Sequence, residues 1–252
     1  MSENSVDIKT RILALFYGLI CHGFFILAGS LMFFSLYFGM SFKLSNFNFQ
    51  FPIFINLLLL IQFPLFHSFL LSKKGKYILR GFYSKTFENK LDTTVYASIA
   101  SFQLFLLFFL WQPSGVTILN FNGILFYLFS SIYLIGWILL SLSSFQAGYK
   151  VQTGSLGWTT IFFGKKLVFP GLPITGLFKI VRHPIYLSFS IILWASPFFT
   201  LDKIIIASFY SIYCFLAPLF KEKRLKEIYG NEFLKYKKNT PYFFPNFLKF
   251  FN

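Results

Sequence analysis

The sequence predicts an all-α, polytopic membrane protein with about six transmembrane helices and a cytoplasmic C-terminal amphipathic helix. Of the 252 residues, 56% are hydrophobic and only 12% are charged, whereas soluble domains carry roughly 25% charged residues. The mean hydropathy is +0.65, and the apolar residues fall in runs near the ~20 residues that a spanning helix needs. An aromatic content of 23% excludes a disordered chain. We expect one membrane domain over residues 1–252.

Six runs without a charged residue define the predicted spans. In chain order they are Ile12–Phe38, Phe51–Leu71, Thr94–Trp111, Gly123–Gly148, Pro184–Phe199 and Ile204–Phe220. The fifth run is short and contains Pro197 near its end. Because no internal repeat is evident, an inverted-repeat transporter is not favoured.

The distribution of basic residues predicts the orientation of these spans. Six spans place 21 of the 23 Lys and Arg residues on one side, and only Lys43 and Lys203 on the other. Lys and Arg concentrate in cytoplasmic loops of membrane proteins, so both termini are predicted to be cytoplasmic, in a bacterial inner membrane. The same rule explains the net charge of +15, and nucleic acid is not an expected partner.

Few polar side chains inside the spans suit chemistry. Cys21 and Cys214 lie in separate apolar runs, which favours neither a disulfide nor a metal site, and no metal is predicted. His22 and His67 are the histidines within spans, and a histidine hydrogen-bonded between helices is the ordinary explanation for each. His22 is expected to be structural, whereas His67, near the cytoplasmic end of the second span, is a candidate catalytic residue.

A first motif precedes the fifth span, in residues 173–186. Arg182 and His183 stand directly before Pro184, which favours the first turn of a helix. Two donor side chains beside the free N–H groups of a helix start form an anion site. Arg182 can equally be an ordinary basic anchor at the cytoplasmic surface.

A second motif follows the sixth span. Apolar residues recur there every three or four positions, which predicts an amphipathic helix at the membrane surface; they are Leu225, Ile228, Tyr229, Phe233 and Tyr236. Gly230 is expected to end the first part of this helix. Binding to anionic lipid explains the lysines of this segment, but it does not explain Glu222 at the membrane boundary.

Together the two motifs resemble the membrane methyltransferases of the isoprenylcysteine carboxyl methyltransferase and phospholipid methyltransferase group. The matching residues are Gly176, Arg182-His183-Pro184-Ile185-Tyr186, Glu222, Leu225, Tyr229-Gly230-Asn231-Glu232, Tyr236 and Pro245. This core covers about residues 173–245. Upstream, Gln62–Ser68 and Thr94–Pro113 are similar to the bacterial branch with NnrU-type proteins and methanethiol S-methyltransferases. Lys221 and Phe233 depart from the pattern, which has Glu and Tyr there.

The resemblance implies S-adenosylmethionine as cofactor and a small or lipophilic methyl acceptor, most simply a methanethiol-like thiol or an isoprenylcysteine-like group. Arg182 and His183 suit the cofactor's carboxylate, and Glu222 suits its ribose diol or ammonium group. Tyr186, Tyr229 and Tyr236 suit adenine stacking or contact with the sulfonium. His183 and His67 are the candidate catalytic residues. The alternatives are a non-catalytic NnrU-like accessory protein, a phospholipid N-methyltransferase and a transporter.

Overall fold

A computed structural model describes residues 6–246, and within them almost all regular structure is helical. The helices are α1 (Ile8–Tyr37), α2 (Pro52–Leu70), α3 (Lys73–Leu79), α4 (Asp92–Leu110), α5 (Gly123–Gln146), α6 (Tyr149–Gln152), α7 (Ser155–Phe162), α8 (Leu177–Ile180), α9 (Pro184–Trp194), α10 (Leu201–Tyr229) and α11 (Asn231–Asn239). Two 3₁₀ turns lie at Arg80–Phe82 and Lys85–Phe87, and two strands at β1 (Thr117–Asn120) and β2 (Phe198–Thr200). The predicted all-α membrane fold is confirmed.

In the described part of the chain, five helices are long and apolar enough to cross a membrane: α1, α2, α4, α5 and α10. They correspond to five of the six predicted spans. Much of their apolar surface stays exposed; in α2 and α5, 17% of the most apolar window is buried. Such helices are stable only where lipid covers that surface.

The fifth predicted span needs correction, because its helix α9 has 11 residues and ends at Trp194. At 1.5 Å per residue it is about 16 Å long, whereas the hydrocarbon core is about 30 Å thick. Pro197 disfavours helical geometry at the residue before it. The chain then forms β2, which pairs antiparallel with β1 and sets Phe199 opposite Leu119.

Helix α10 differs from its predicted boundary in the opposite direction, since it continues past Phe220 to Tyr229. Gly230 follows with a φ of +52°, a conformation that glycine adopts without the strain of a Cβ atom. Helix α11 begins at the next residue. The predicted interruption at Gly230 is therefore confirmed, while the first part of the predicted surface helix is an extension of the last long helix.

The described chain divides into two compact units. The first comprises the described residues up to Phe34 together with 43–112 and 149–169. In it α2 packs against α4, and α4 against α7. An apolar cluster includes Ala14, Leu70, Leu79, Tyr83, Phe87, Leu91, Val95 and Ile161.

Close packing of α7 in this unit depends on small residues. A Cβ atom on Gly157 would lie 2.5 Å from the carbonyl oxygen of Lys90, and one on Gly18 would lie 2.6 Å from the indole of Trp158. The Thr94 hydroxyl donates to the carbonyl of Gly154 at 2.7 Å. These contacts seat the short helix against its neighbours.

The second unit comprises residues 35–42, 113–148 and the described residues from Pro170 to Asn246. Here α9 packs against both α5 and α10. Gly136 of α5 permits this, because a Cβ atom there would lie 2.9 Å from the Ile192 side chain. At the start of α10, Asp202 accepts hydrogen bonds from the backbone N–H of Ser114, at 2.9 Å, and from its hydroxyl. This unit contains both sequence motifs.

Candidate functional site

The approach to the first motif depends on Gly176. Its φ is +59°, and a Cβ atom there would lie 2.4 Å from the Gln146 amide nitrogen. Gln146 Oε1 accepts a hydrogen bond from the backbone N–H of Leu177 at 2.8 Å. The tight contact starts α8, whose Phe178 and Ile180 are buried. Arg182 and His183 follow α8 and lie at the start of α9.

Glu222, on the extension of α10, meets both residues of the first motif. Arg182 Nε donates to Glu222 Oε1 at 2.8 Å, and His183 Nε2 lies 3.0 Å from the same oxygen. The side chains of Arg182, His183 and Glu222 are 9%, 2% and 5% exposed. Residues about 40 positions apart in sequence thus form one buried cluster.

Lys237 of α11 is a third partner of Glu222, and the sequence did not single it out. Its ammonium group donates to Glu222 Oε2 at 2.7 Å, while its side chain is 49% exposed. Both carboxylate oxygens are therefore occupied by donors. Burial raises the pKa of Glu222, but hydrogen bonds from Lys237, His183 and Arg182 outweigh that effect and hold the pKa below its usual value.

Arg182 also forms hydrogen bonds with the backbone at the end of α11 and in the segment that follows it. Its Nη1 donates to the carbonyl of Lys237 at 3.0 Å and to that of Thr240, and its backbone N–H donates to Pro241 at 2.9 Å. Further along, Asn246 N–H donates to the Ile180 carbonyl at 2.9 Å. Most donors of Arg182 therefore hold this chain's own backbone and Glu222.

His183 is neutral at physiological pH, because burial lowers its pKa to about 4. An ionised carboxylate only accepts hydrogen bonds, so the proton is assigned to Nε2, which faces Glu222. Nδ1 then carries a lone pair. This atom is buried and has no hydrogen-bond partner within residues 6–246, so it is able to accept a hydrogen bond or a proton.

The aromatic residues around the cluster have different surroundings. Tyr236 donates to the carbonyl of Phe178 at 2.7 Å, and burial raises the pKa of its phenol. Tyr229 is directed to the carbonyl of Pro170 at 3.3 Å. The Tyr186 ring centroid lies 6.1 Å from that of His183.

Tyr242, which the sequence did not single out, lies closer to His183 than Tyr186 does. Its ring centroid is 4.9 Å from that of His183 and 5.4 Å from the Arg182 guanidinium carbon. No signal in the sequence distinguished it from the neighbouring aromatic residues.

A small pocket of about 30 Å³ adjoins the cluster. Its lining residues are Leu172, Pro173, Phe178, Arg182, His183, Lys221, Leu225, Phe233 and Tyr236. Tyr186, Tyr229 and Glu222 lie outside this lining. Glu222 is covered by Arg182, His183 and Lys237, so a ligand reaches it only where one of them moves.

The two departures from the motif also have defined places. The Lys221 ammonium lies 5.9 Å from the Tyr186 ring centroid, within the range of a cation–π contact. Phe233 is 2% exposed and belongs to the pocket lining, where it supplies no hydroxyl group.

The two span histidines lie in the first unit. Trp158 Nε1 donates to His22 Nε2 at 3.0 Å, so His22 links α1 to α7, as its expected structural role requires. His67 Nε2 lies 2.8 Å from the Tyr96 hydroxyl. Among the residues that the structure describes, no three His, Cys, Asp or Glu side chains form a group that could hold a metal ion.

Fold and site together define a polytopic helical membrane protein with a buried cluster of one carboxylate and several nitrogen donors. The chain is 27% identical over 185 residues to a methanethiol S-methyltransferase of Crocosphaera subtropica, covering 73% of this chain and 71% of that protein. It is 31% identical over 192 residues to methanethiol S-methyltransferase 1 of Bradyrhizobium diazoefficiens, covering 76% of this chain and 66% of the relative, just under two thirds of its length. A Nurim homolog of Drosophila pseudoobscura is 24% identical over 173 residues, covering 66% of this chain and 67% of that protein.

These relatives and the shared motifs show that the chain is similar to the membrane methyltransferases that include the methanethiol S-methyltransferases. The names of the relatives support a methyltransferase. No family model matches the chain, and no solved structure matches it.

Proposed function

We propose that this protein uses S-adenosylmethionine to methylate a small or lipophilic thiol, most simply methanethiol. The observation that carries the proposal is the buried cluster of Arg182, His183 and Glu222, in which His183 Nδ1 has no partner among the described residues. The relatives are named for transfer to methanethiol, and we extend that acceptor class to this chain.

The chemistry of the donor set fits the cofactor. When bound, S-adenosylmethionine supplies a methyl group already activated on a sulfonium, so the protein's task is mainly alignment. Arg182 and the free N–H groups at the start of α9 suit a carboxylate. Glu222 suits an ammonium group or a ribose diol. Tyr186, Tyr229 and Tyr236 supply ring faces for adenine or for the sulfonium.

The pocket must widen for this ligand. Its volume of about 30 Å³ has room for only a few water molecules, whereas sites for cofactor-sized ligands occupy roughly 300–1,000 Å³. Lys237, at 49% exposed, is the most accessible partner in the cluster. We therefore infer that side chains carried by α11, Lys237 among them, move when the cofactor enters.

A thiol acceptor suits a site with a single neutral base. Methyl transfer forms a bond between the acceptor sulfur and the methyl carbon, while the bond from that carbon to the cofactor sulfur breaks and its electron pair stays on the cofactor. The thiol proton goes to a base, because the thiolate is the nucleophilic form of a thiol. His183 Nδ1 is the base we favour, because its lone pair is free within the described chain and its other nitrogen faces Glu222. His67 is the alternative.

We also propose that the protein lies in a bacterial inner membrane with both termini cytoplasmic. The support is the division of its Lys and Arg residues, 21 of 23 on one side of the predicted spans. Both motifs fall on the cytoplasmic side in this orientation. Apart from the methyl acceptor, the expected partner is the lipid bilayer.

Two measurements on detergent-solubilised protein test the function. Labelled S-adenosylmethionine should bind saturably and be displaced by unlabelled cofactor; absence of saturable binding would refute the proposal. Methanethiol should then be converted to dimethyl sulfide, measured by headspace gas chromatography. Methylation of phospholipid amines or prenylcysteine analogues in place of small thiols would refute the acceptor assignment.

Site variants test where the cofactor binds. Each charge-assisted contact contributes ~1.5–3 kcal/mol, so Glu222→Gln should weaken cofactor binding about 10-fold or more, whereas His183→Ala should lower the rate of methyl transfer. Lys238→Ala, a change to an exposed side chain, should leave cofactor binding within about twofold. The comparison requires equal melting temperatures or correction for the folded fraction. Parent-like binding by Glu222→Gln would place the cofactor elsewhere.

A further inference from the structure

The two carboxylate oxygens of Glu222 have partners that differ in their exposure to solvent. Oε1 receives Arg182 and His183, which are nearly buried, whereas Oε2 receives the ammonium group of Lys237, which is half exposed. Oε1 is thus held by groups that packing fixes in place. Oε2 is held by a flexible side chain at the surface.

The Lys237 side chain can leave without moving its backbone. Arg182 Nη1 holds the Lys237 carbonyl at 3.0 Å, so the backbone stays beside the site while the ammonium group exchanges between Glu222 and water. Lysine has three donors on a long flexible stem and forms point-charge contacts rather than fixed forks. Of the three partners of Glu222, Lys237 is the one whose displacement costs least.

We propose that Lys237 competes with the ammonium group of the cofactor's amino-acid part for Oε2 of Glu222. The inference rests on the proposed function and deepens it, because it chooses between the two ligand groups that suit Glu222. A primary ammonium already sits on Oε2 at 2.7 Å, so the position accepts that chemistry in this protein. The ribose diol, which offers hydroxyl donors, would then be bound by other groups.

Competition of this kind lowers the apparent affinity for the cofactor. If the contact is formed for most of the time, the measured dissociation constant exceeds the intrinsic one by the reciprocal of the free fraction. A contact formed about 70–90% of the time therefore weakens binding roughly three- to tenfold. Removing the Lys237 ammonium should strengthen binding by that factor.

The test compares Lys237→Gln with the parent and with Lys238→Gln, a matched change at the neighbouring exposed lysine. Lys237→Gln should bind S-adenosylmethionine about three- to tenfold more tightly, and Lys238→Gln should bind within about twofold of the parent. Lys237→Arg, which retains a cation, should also stay near the parent. Either weaker or unchanged binding by Lys237→Gln overturns the proposal. Weaker binding would mean that Lys237 is itself a ligand for the cofactor.

A second probe separates the ammonium from the rest of the cofactor. 5′-Methylthioadenosine has the adenine and ribose on a neutral thioether but no amino-acid part, whereas S-adenosylhomocysteine is a neutral thioether that keeps the amino-acid part. Lys237→Gln should leave binding of the first unchanged and tighten binding of the second. Equal tightening for both compounds overturns the ammonium assignment, since it means that the variant merely opens the pocket. Failure of the parent to bind S-adenosylmethionine would refute the proposed function itself, whereas parental binding without the Lys237→Gln effect refutes this inference alone.

Discussion

Acidification should destabilise this protein through His183. Burial lowers the pKa of His183 to about 4 from 6.5 in the unfolded chain. Between these values the unfolded state binds the proton and the folded state does not, so stability falls as the pH drops through this window. Above pH 6.5 the contribution is constant. Glu222, with a lowered pKa, stays ionised over most of the window and adds a loss only at its acidic end.

The magnitude follows from the two pKa values of His183. Linkage gives a loss of about 2 kcal/mol between pH 7.5 and pH 5.0, with ~1.4 kcal/mol for each pH unit well inside the window. For a chain of this size that corresponds to roughly 4–8 °C in melting temperature. Tryptophan fluorescence during thermal unfolding in detergent measures it, because the chain has four tryptophans.

The matched control is His183→Gln, which keeps an N–H donor for Glu222 but does not titrate. The variant will have its own baseline stability, so the decisive quantity is the change in melting temperature between pH 7.5 and pH 5.0. The parent should lose roughly 4–8 °C more than the variant over this range. Equal losses in the two proteins would show that His183 is not buried in its neutral form, and the tautomer assignment would fail with it.

Three further predictions concern orientation, the C-terminal segment and the approach to the site. Tags at both chain ends should be protected from reagents in sealed, right-side-out cells, and labelling of either from outside would contradict the proposed orientation. Arg182→Lys should release the backbone at Lys237 and Thr240, because an ammonium cannot replace the guanidinium fork; limited proteolysis should then cleave this segment faster than in a Lys238→Ala control. Gly176→Ala should lower the melting temperature by several degrees, since its Cβ atom would collide with Gln146 and φ is positive; an unchanged melting temperature would contradict the close contact.

The features predicted well from sequence are those set by local pattern. The long helices follow from apolar runs, and the break at Gly230 follows from glycine's tolerance of positive φ. The meeting of Arg182 with Glu222 was expected because the intervening segment forms a hairpin whose ends lie on the same side. The length of α9 was overestimated, since an apolar run continues through residues that pair as strand β2.

The features that escaped prediction are tertiary. Lys237 is one of several lysines in the C-terminal segment, and nothing in its immediate sequence separates it from Lys235 or Lys238. Its role depends on where α11 lies after the break at Gly230. The position of helix α7 was not predicted for a similar reason, because it depends on the close approach of Gly157 to the residues at the start of α4. Which lysine contacts Glu222 and where α7 packs both depend on the three-dimensional arrangement of the helices.

The hydrogen bonds of Arg182 indicate that Arg182 and His183 have different roles, although the motif alone implies one shared role. Its Nε holds Glu222, and its Nη1 and backbone N–H hold the segment after α11. Only Nη2 remains for a ligand within the described chain, so Arg182 serves mainly as a positioning residue. His183, with an unpartnered buried Nδ1, is the member of the pair with capacity left for chemistry. Substitution of Arg182 should therefore act through the order of the C-terminal segment, and substitution of His183 through the reaction itself.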